Sequence, residues 1–437
     1  MLLSNLKNKV VAIWGMGTEG TAVKAYLEKH RIPKQILVYN DADGAAAFQN
    51  ILDKTDIIIR SPGVSIYKPE IILAREKGIK ITSSSDLFLN EMRTNHPKTT
   101  IIGISGSKGK SMSVSMLFHI MLKAGCKVAL GGNIGKALVD LLDEDYDYIV
   151  GEFSSYQASD LTASPHVAMF TNLFSVHTDW HGGHEQYCRD KLHLVACQKS
   201  GDICFINDRN LQLKNYAKGL KNVAYYDIKE GFHAEGREFF YQDKLLLNIN
   251  DLQICGIHNL DNLAGVMSIV KYLGLDIEKA LEAVKTVEPL PHRLQKVGRV
   301  GGVLFINDSI STAPEAAISA ISSFDNNMAI ISGGIENKQD YTDYAKHIQN
   351  NPKVKVAVTL FQCGRQIADA IREHVTRGDF KLIEAETLQE AVTRAYYEVK
   401  AAGGDLVLFS PTAPSFGYYK NFMERGQDFM NIVNKLA

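Results

Sequence analysis

The chain has 437 residues, 45% hydrophobic and 22% charged, which excludes a disordered chain and points to two to four domains at roughly 150 residues each. Its 48 Lys and Arg against 49 Asp and Glu leave a formal net charge of −1, which argues against nucleic acid or an anionic membrane surface as the main partner. No apolar run approaches the roughly 18 residues that cross a bilayer, so no membrane insertion is expected.

The six cysteines are scattered, with no Cys-x-x-Cys pair, and read as reduced thiols of a cytoplasmic protein. The stretch Met1–Trp14 has two lysines and a short apolar run. It leads straight into Gly15-Met16-Gly17-Thr18-Glu19-Gly20, a structural turn rather than a signal-peptide cleavage site.

Short β-branched runs then alternate with amphipathic stretches, the pattern of parallel sheets covered by helices. Val10–Trp14 reads as a buried strand, 21–29 as a helix, and 36–39, 57–59 and 79–82 as further strands. The polar stretch 93–100, with Pro97, predicts a first linker. A strand at 100–104 leads into a Gly-rich loop and a helix from Ser111. Strands follow at 148–150, 167–170 and 203–206, with a hairpin over 239–249 around Gln242-Asp243. Apolar residues at 263, 266, 267, 270 and 273 mark one helix face, and Glu288-Pro289-Leu290-Pro291 predicts a second linker. Beyond it, strands are expected at 303–306, 328–331, 354–360 and 405–409, each followed by a helix. The expected fold is α/β, three domains in series with parallel sheets: 1–95, 96–289 and 290–437.

Four motifs carry chemistry. Gly15-x-Gly17-x-x-Gly20 lies between strand and helix, with Asp41 about twenty residues on, as in dinucleotide-binding turns. It predicts a diphosphate ligand, either NAD or a uridine diphosphate. Gly103-Ile-Ser-Gly106-Ser107-Lys108-Gly109-Lys110-Ser111 is a P-loop variant, because Ile104 stands where the usual pattern has glycine. Its backbone N–H groups can wrap phosphates, Lys110 can bridge β and γ oxygens, and Ser111 can hold Mg²⁺. Glu152, at the end of a strand in the same domain, is placed to complete a Mg²⁺ shell. His177-Thr-Asp179-Trp-His181-Gly-Gly-His184 invites a zinc reading, but no motif identifies the further ligands it would need, and the glycines suggest a loop. One functional His beside a Mg²⁺–ATP centre is the better expectation.

In their order along nearly the whole chain, these motifs resemble the Mur ligases of peptidoglycan synthesis, and among them the branch that adds glutamate to UDP-N-acetylmuramoyl-L-alanine. The resemblance rests on 103–111, on Glu152-Phe-Ser-Ser-Tyr-Gln157, on Asn172 with His177-x-Asp179, and on Lys191. Gly256-x-His258-Asn259-x-x-Asn262, Leu290-Pro-His-Arg293, Asn307-Asp308-Ser309 and Ser410-Pro through Lys420-Asn421-Phe422-x-x-Arg425-Gly426 complete it.

The resemblance implies an N-terminal Rossmann-like domain, a central P-loop ATPase domain and a C-terminal Rossmann-like domain. Gly106, Ser107, Lys108, Gly109, Lys110 and Ser111 would bind ATP, with Asn262, Arg293 and Asp308 holding the nucleotide across the domain junction. Ser111 and Glu152 would hold one Mg²⁺, and His177 a second, helped by a carbamylated Lys191. Gly15, Gly17, Thr18, Asp41, Ser61 and Gly63 would bind UDP, and Asn133 the muramoyl group. Thr312, Lys338, Ser415 and Phe422 would form the amino-acid pocket. The implied partners are small molecules only (ATP, glutamate and the UDP-linked acceptor), with the chain a cytoplasmic monomer.

Three departures from the D-glutamate-adding pattern stand out: Val176 before His177, Ile310 after Ser309, and Ala413-Pro-Ser415-Phe-Gly417. The last two resemble the minority branch reported to add L-glutamate. D-glutamate is therefore the family default and L-glutamate the alternative. A reading of another class, an inactive nucleotide-binding regulator, draws on Val176 and Ile310.

Overall fold

The computed structural model describes residues 1–174, 178–336 and 339–436. Apolar β-branched runs make the strands, because both faces of each parallel sheet are covered by helices. In the first sheet β1 (Val10–Trp14), β2 (Gln35–Tyr39), β3 (Ile57–Arg60) and β4 (Lys80–Ser83) are parallel in the order β2-β1-β3-β4. The second contains β5 (Thr100–Ser105), β6 (Val128–Gly132), β7 (Tyr148–Glu152), β8 (Val167–Phe170), β9 (Ile203–Asn207) and β10 (Val223–Tyr226). All six are parallel, ordered β10-β9-β8-β5-β7-β6.

A small antiparallel sheet follows, β11 (Phe232–Glu235), β12 (Glu238–Tyr241) and β13 (Lys244–Asn248). The predicted hairpin is β12–β13; β11 is an additional strand. The last sheet holds β14 (Gln295–Val300), β15 (Val303–Asn307), β16 (Met328–Ser332), β17 (Val354–Leu360), β18 (Lys381–Ala385) and β19 (Leu406–Phe409). Its order is β14-β15-β19-β16-β17-β18, with only β14 antiparallel.

The chain divides into two compact units, Met1–Asn248 with Asn259–Val287, and Ile249–His258 with Glu288–Ala437. One expectation needs correcting. Residues 93–95 belong not to a linker but to the last turn of the helix Ser84–Asn95. Arg93 is held there by a two-pronged ion pair to Asp202, both bonds 2.9 Å, and the side chains are 8% and 6% exposed. A charged residue in a polar run looked solvated, and a partner 109 positions away has no local signature.

In the second sheet the P-loop strand β5 lies between β7 and β8. The register pairs Ile104 with Glu152 and Ser105 with Phe170, so three strand ends meet beside the loop that follows β5.

Candidate active site

The loop after β5 ends at Gly109, which precedes the helix Lys110–Lys123. Gly109 has φ +85°, and a Cβ there would meet the Asn262 side-chain oxygen at 2.6 Å. Only glycine therefore lets Asn262 pack against the loop. Asn172 clamps the loop from the other side: its Oδ1 accepts from the Lys108 N–H at 2.8 Å, and its Nδ2 donates to the Lys108 carbonyl at 3.0 Å. Thr171 Oγ1 donates to that same carbonyl at 2.6 Å. Ser107 is bonded to the buried Tyr187 hydroxyl at 2.7 Å, and Ser111 sits half-buried in the first helical turn.

Lys110 folds back over the loop and donates to the carbonyls of Gly106 at 2.9 Å and Ser107 at 3.1 Å. Lys191, on the helix His184–Leu192, is only 2% exposed, and its Nζ donates to Gly106 O at 2.9 Å. Burial foremost, and the neighbouring Lys110 charge second, hold the Lys191 ammonium well below the ordinary lysine range.

Glu152, 2% exposed, accepts from Asn133 Nδ2 at 3.3 Å through Oε1, while its buried Oε2 has no hydrogen-bond partner among the described residues. A buried carboxylate oxygen left unpaired is costly. It is the donor that a hard cation such as Mg²⁺ takes, so the residues present fit that ion. His177 lies outside the described residues. Among the described residues no group of three or more His, Cys, Asp or Glu is arranged to hold a metal. The neighbouring histidines are engaged in structure. His181, 2% exposed, bridges Asp190 Oδ2 at 2.6 Å and Ser155 Oγ at 2.9 Å, and His184 bonds Gln212.

A second site lies in the same unit. Gly15, Gly17, Thr18, Asp41, Ser61, Gly63 and Asn133 line one cleft of about 460 Å³. The helix Thr18–Lys29 points its N-terminus at this space, and the helix can approach so closely because a Cβ on Gly20 would collide with the Gly15 carbonyl. Trp14, Glu19 and Asn40 also line the cleft, and sequence reasoning did not single them out. Trp14 read only as the end of a buried strand. Its indole nitrogen donates to Asp41 Oδ1 at 2.9 Å, while Lys68 pairs with Asp41 Oδ2 at 2.6 Å. The Lys68 bond, followed by the Trp14 bond, holds the Asp41 carboxyl below its usual range. Burial raises Glu19, which accepts from Gln157 Nε2 at 2.6 Å. Asn133 joins the two sites, since it lines the cleft and bonds Glu152.

The sequence-predicted nucleotide residues are divided between the units. Asn262 is in the first, against the phosphate loop, and Arg293 and Asp308 are in the second. Asp308 is buried and accepts from the Leu294 N–H at 3.2 Å, from Ser410 Oγ at 3.0 Å and from Ser311 Oγ. Burial nevertheless pushes its carboxyl up to about 6. Arg293 is half-buried, its Nε without a hydrogen-bond partner among the described residues. Of the four amino-acid-pocket residues, Thr312 is exposed after β15, Ser415 is buried, and Phe422 starts the helix Phe422–Leu436. The Phe422 carbonyl accepts from Ser309 Oγ at 2.8 Å. Lys338 lies outside the described residues.

Residues 104–270 match the Mur ligase middle domain, and residues 292–413 match the Mur ligase glutamate ligase domain. The chain belongs to the Mur ligase family. It is 32% identical to the UDP-N-acetylmuramoyl-L-alanine–L-glutamate ligase of Xanthomonas euvesicatoria pv. vesicatoria, over 99% of this chain and 97% of the relative. It is 30% identical to the UDP-N-acetylmuramoylalanine–D-glutamate ligase of Acetivibrio thermocellus, again over 99% and 97%. Among solved structures the MurF ligase of Thermotoga maritima, in complex with ADP, superposes with a TM-score of 0.61 at 16% identity, covering 99% of this chain and 96% of that one. This Mur ligase therefore has the three-domain α/β fold of its family, and among its described residues no helix is long and apolar enough to cross a membrane.

Proposed function

We propose that this Mur ligase joins glutamate to UDP-N-acetylmuramoyl-L-alanine at the expense of ATP, in cytoplasmic peptidoglycan-precursor synthesis. The reading includes domains at 1–95, 96–289 and 290–437, and a monomeric enzyme whose partners are small molecules. The observation that carries it is Asn133, which lines the diphosphate cleft and bonds the half-satisfied Glu152 beside the phosphate loop. A UDP-linked substrate in the cleft would thereby extend its alanyl carboxylate toward the phosphates of ATP. An NAD reading leaves the phosphate loop and Glu152 without work.

A carboxylate is a poor electrophile and must be activated before an amine can attack it. The alanyl carboxylate oxygen takes the γ-phosphoryl group, the bond to the β-phosphate oxygen breaks, and ADP leaves. Lys110 and the loop N–H groups balance the charge that builds during transfer. The glutamate amine then attacks the acyl carbon, the carbon–oxygen bond to phosphate breaks, and the amine proton is lost to solvent. Ser111, Glu152, His177 and carbamylated Lys191 would hold Mg²⁺, which neutralises phosphate charge when bound. Carbamylation joins the neutral Lys191 amine to CO₂ with loss of a proton; the burial of Lys191 against Lys110 supports it.

The incoming isomer we assign as L-glutamate. Ile310 and Ala413–Gly417, which flank the amino-acid pocket, support this, as does the name of the Xanthomonas relative. Phosphate release measured with ATP, UDP-N-acetylmuramoyl-L-alanine and each glutamate isomer tests the whole reading. Release with L-glutamate alone is expected. Release with neither isomer would overturn the ligase assignment, and release with D-glutamate alone would overturn the isomer.

A further inference from the structure

Arg425 is 0% exposed, among the largest fully buried side chains of the protein. Among the described residues its hydrogen bonds all run to neutral oxygens: Nε to Ser309 Oγ at 3.1 Å, Nη1 to Ala413 O at 2.9 Å, and Nη2 to Ser309 O at 2.8 Å. The carboxylates nearest in sequence are turned to other donors. Asp428 accepts from the Tyr419 hydroxyl at 2.7 Å, and Glu424 from the Lys420 N–H at 2.6 Å. Burial accordingly pulls the guanidinium down to about 10, and the groups that oppose this are a phenol and a thiol, Tyr419 and Cys363. A buried cation without an anion is among the costlier features a fold can retain.

Two segments of the expected amino-acid pocket, at Ser309 and Ala413, meet at this guanidinium, and the third, at Phe422, is tied to it through Ser309. Ser309 opens the loop leading to Thr312 and donates to the carbonyl of Phe422. Ala413 stands two residues before Ser415 and directly after Thr412, a β-branched residue held at φ +63°. That conformation is strained, and such strain gathers at functional sites.

We propose that Arg425 is a positioning residue for charge selection. It fixes the 309–312, 412–415 and 422 segments in one arrangement, and its unpaired charge makes the pocket they form select an amino acid with a second carboxylate. The inference rests on the glutamate-ligase reading above and deepens it. The substrate's side-chain carboxylate supplies the anion that the fold leaves out, without contacting the guanidinium itself. A neutral analogue of the same shape, glutamine, leaves the cation uncompensated and binds poorly.

The test compares the full-length wild type with R425M, which keeps bulk and loses charge, and R425K, which keeps charge and loses the planar fork. KM and kcat are measured for glutamate and glutamine, with KM for ATP and for UDP-N-acetylmuramoyl-L-alanine as internal references. Expected for R425M is a rise of roughly tenfold or more in glutamate KM, a matching fall in glutamate-over-glutamine preference, and unchanged KM for the other substrates. R425K should retain the preference even where kcat falls. A folded R425M with wild-type preference would overturn the proposal. So would loss of the preference in R425K, which decides the matter should R425M not fold. Calorimetry with glutarate, a dicarboxylate without an amine, keeps the two readings apart. Glutarate binding that weakens in R425K as much as in R425M sinks the charge role, whereas a wild type inactive with glutamate sinks the ligase reading.

Discussion

Lys110 and Lys191 aim their side-chain nitrogens at one carbonyl oxygen, that of Gly106, each from 2.9 Å. Two ammonium groups that close in a buried setting repel each other, and the deeper one gives up its proton more readily. Carbamylation of Lys191, as proposed above, would turn that difficulty around, since it would replace the second cation by an anion on a long stem.

Lys191→Ala should therefore lose activity by at least about a hundredfold, with partial recovery in millimolar acetate or formate, which supply the missing oxygens. Lys191→Arg should be inactive and beyond rescue, because it keeps the wrong charge and fills the space. Steady-state phosphate release, together with intact mass of a gently handled sample, checks this; an active wild type with unmodified Lys191, alongside a still-active Lys191→Arg, would show the lysine to be merely structural.

Lys110→Ala should abolish phosphate release, by about a hundredfold or more, while the far-ultraviolet circular dichroism stays unchanged. Near-wild-type turnover would move the ATP site elsewhere.

UDP-N-acetylmuramoyl-L-alanine should bind and NAD should not. The cleft is lined by Asn133, which bonds Glu152 beside the phosphate loop, machinery that a nicotinamide would leave without work. Titration calorimetry decides between them, and tight NAD binding with no UDP-ligand binding would reverse the assignment.

Much of the fold was legible because parallel strands buried on both faces read as unbroken apolar runs. Val10–Trp14 and Val167–Phe170 are strands over the full predicted ranges. The strands that escaped notice had weaker signals. β14 and β18 are edges with exposed charged residues, β10 is a four-residue edge strand, β6 ends in two glycines, and β11 is a four-residue piece of the small antiparallel sheet. Local fingerprints such as Gly15–Gly20 and Gly103–Ser111 announce themselves within ten residues. What the sequence conceals is pairing at a distance. Arg60 with Asp160 and Arg425 with Ser309 are separated by 100 and 116 positions, and each arginine alone looks solvated.

Stability should depend on Arg93 and Asp202, since removing one member strands the other in a buried setting. Arg93→Met or Asp202→Asn should each cost about 3–5 kcal/mol in urea unfolding, and the double variant less than the sum. Costs under about 1 kcal/mol would place the pair in solvent.

Asp308 gives a pH signature. Its folded carboxyl titrates at about 6, above the ordinary 3.8, so the folded form binds the proton more tightly than the unfolded chain. Its contribution favours folding below about pH 4 and is lost as pH rises to 6 and beyond. Asp308→Asn should accordingly be more stable than wild type at pH 7.5, by about 1–3 kcal/mol, and the gain should vanish near pH 4. Paired urea titrations at the two pH values measure it, and a gain equal at both would rule out the carboxyl as its source.

Arg60 grips Asp160 with two bonds, at 2.9 and 2.5 Å, and Nη2 also reaches the Tyr156 carbonyl and Ser159 hydroxyl. It ends β3, directly before the cleft-lining residues Ser61, Pro62, Gly63 and Val64, and fastens that wall to the segment beyond Glu152. For inhibitor design the consequence is concrete. A compound that fills this cleft meets a receptor already assembled, so little of its binding energy is consumed in ordering the protein, and rigid scaffolds should outperform flexible ones of equal size.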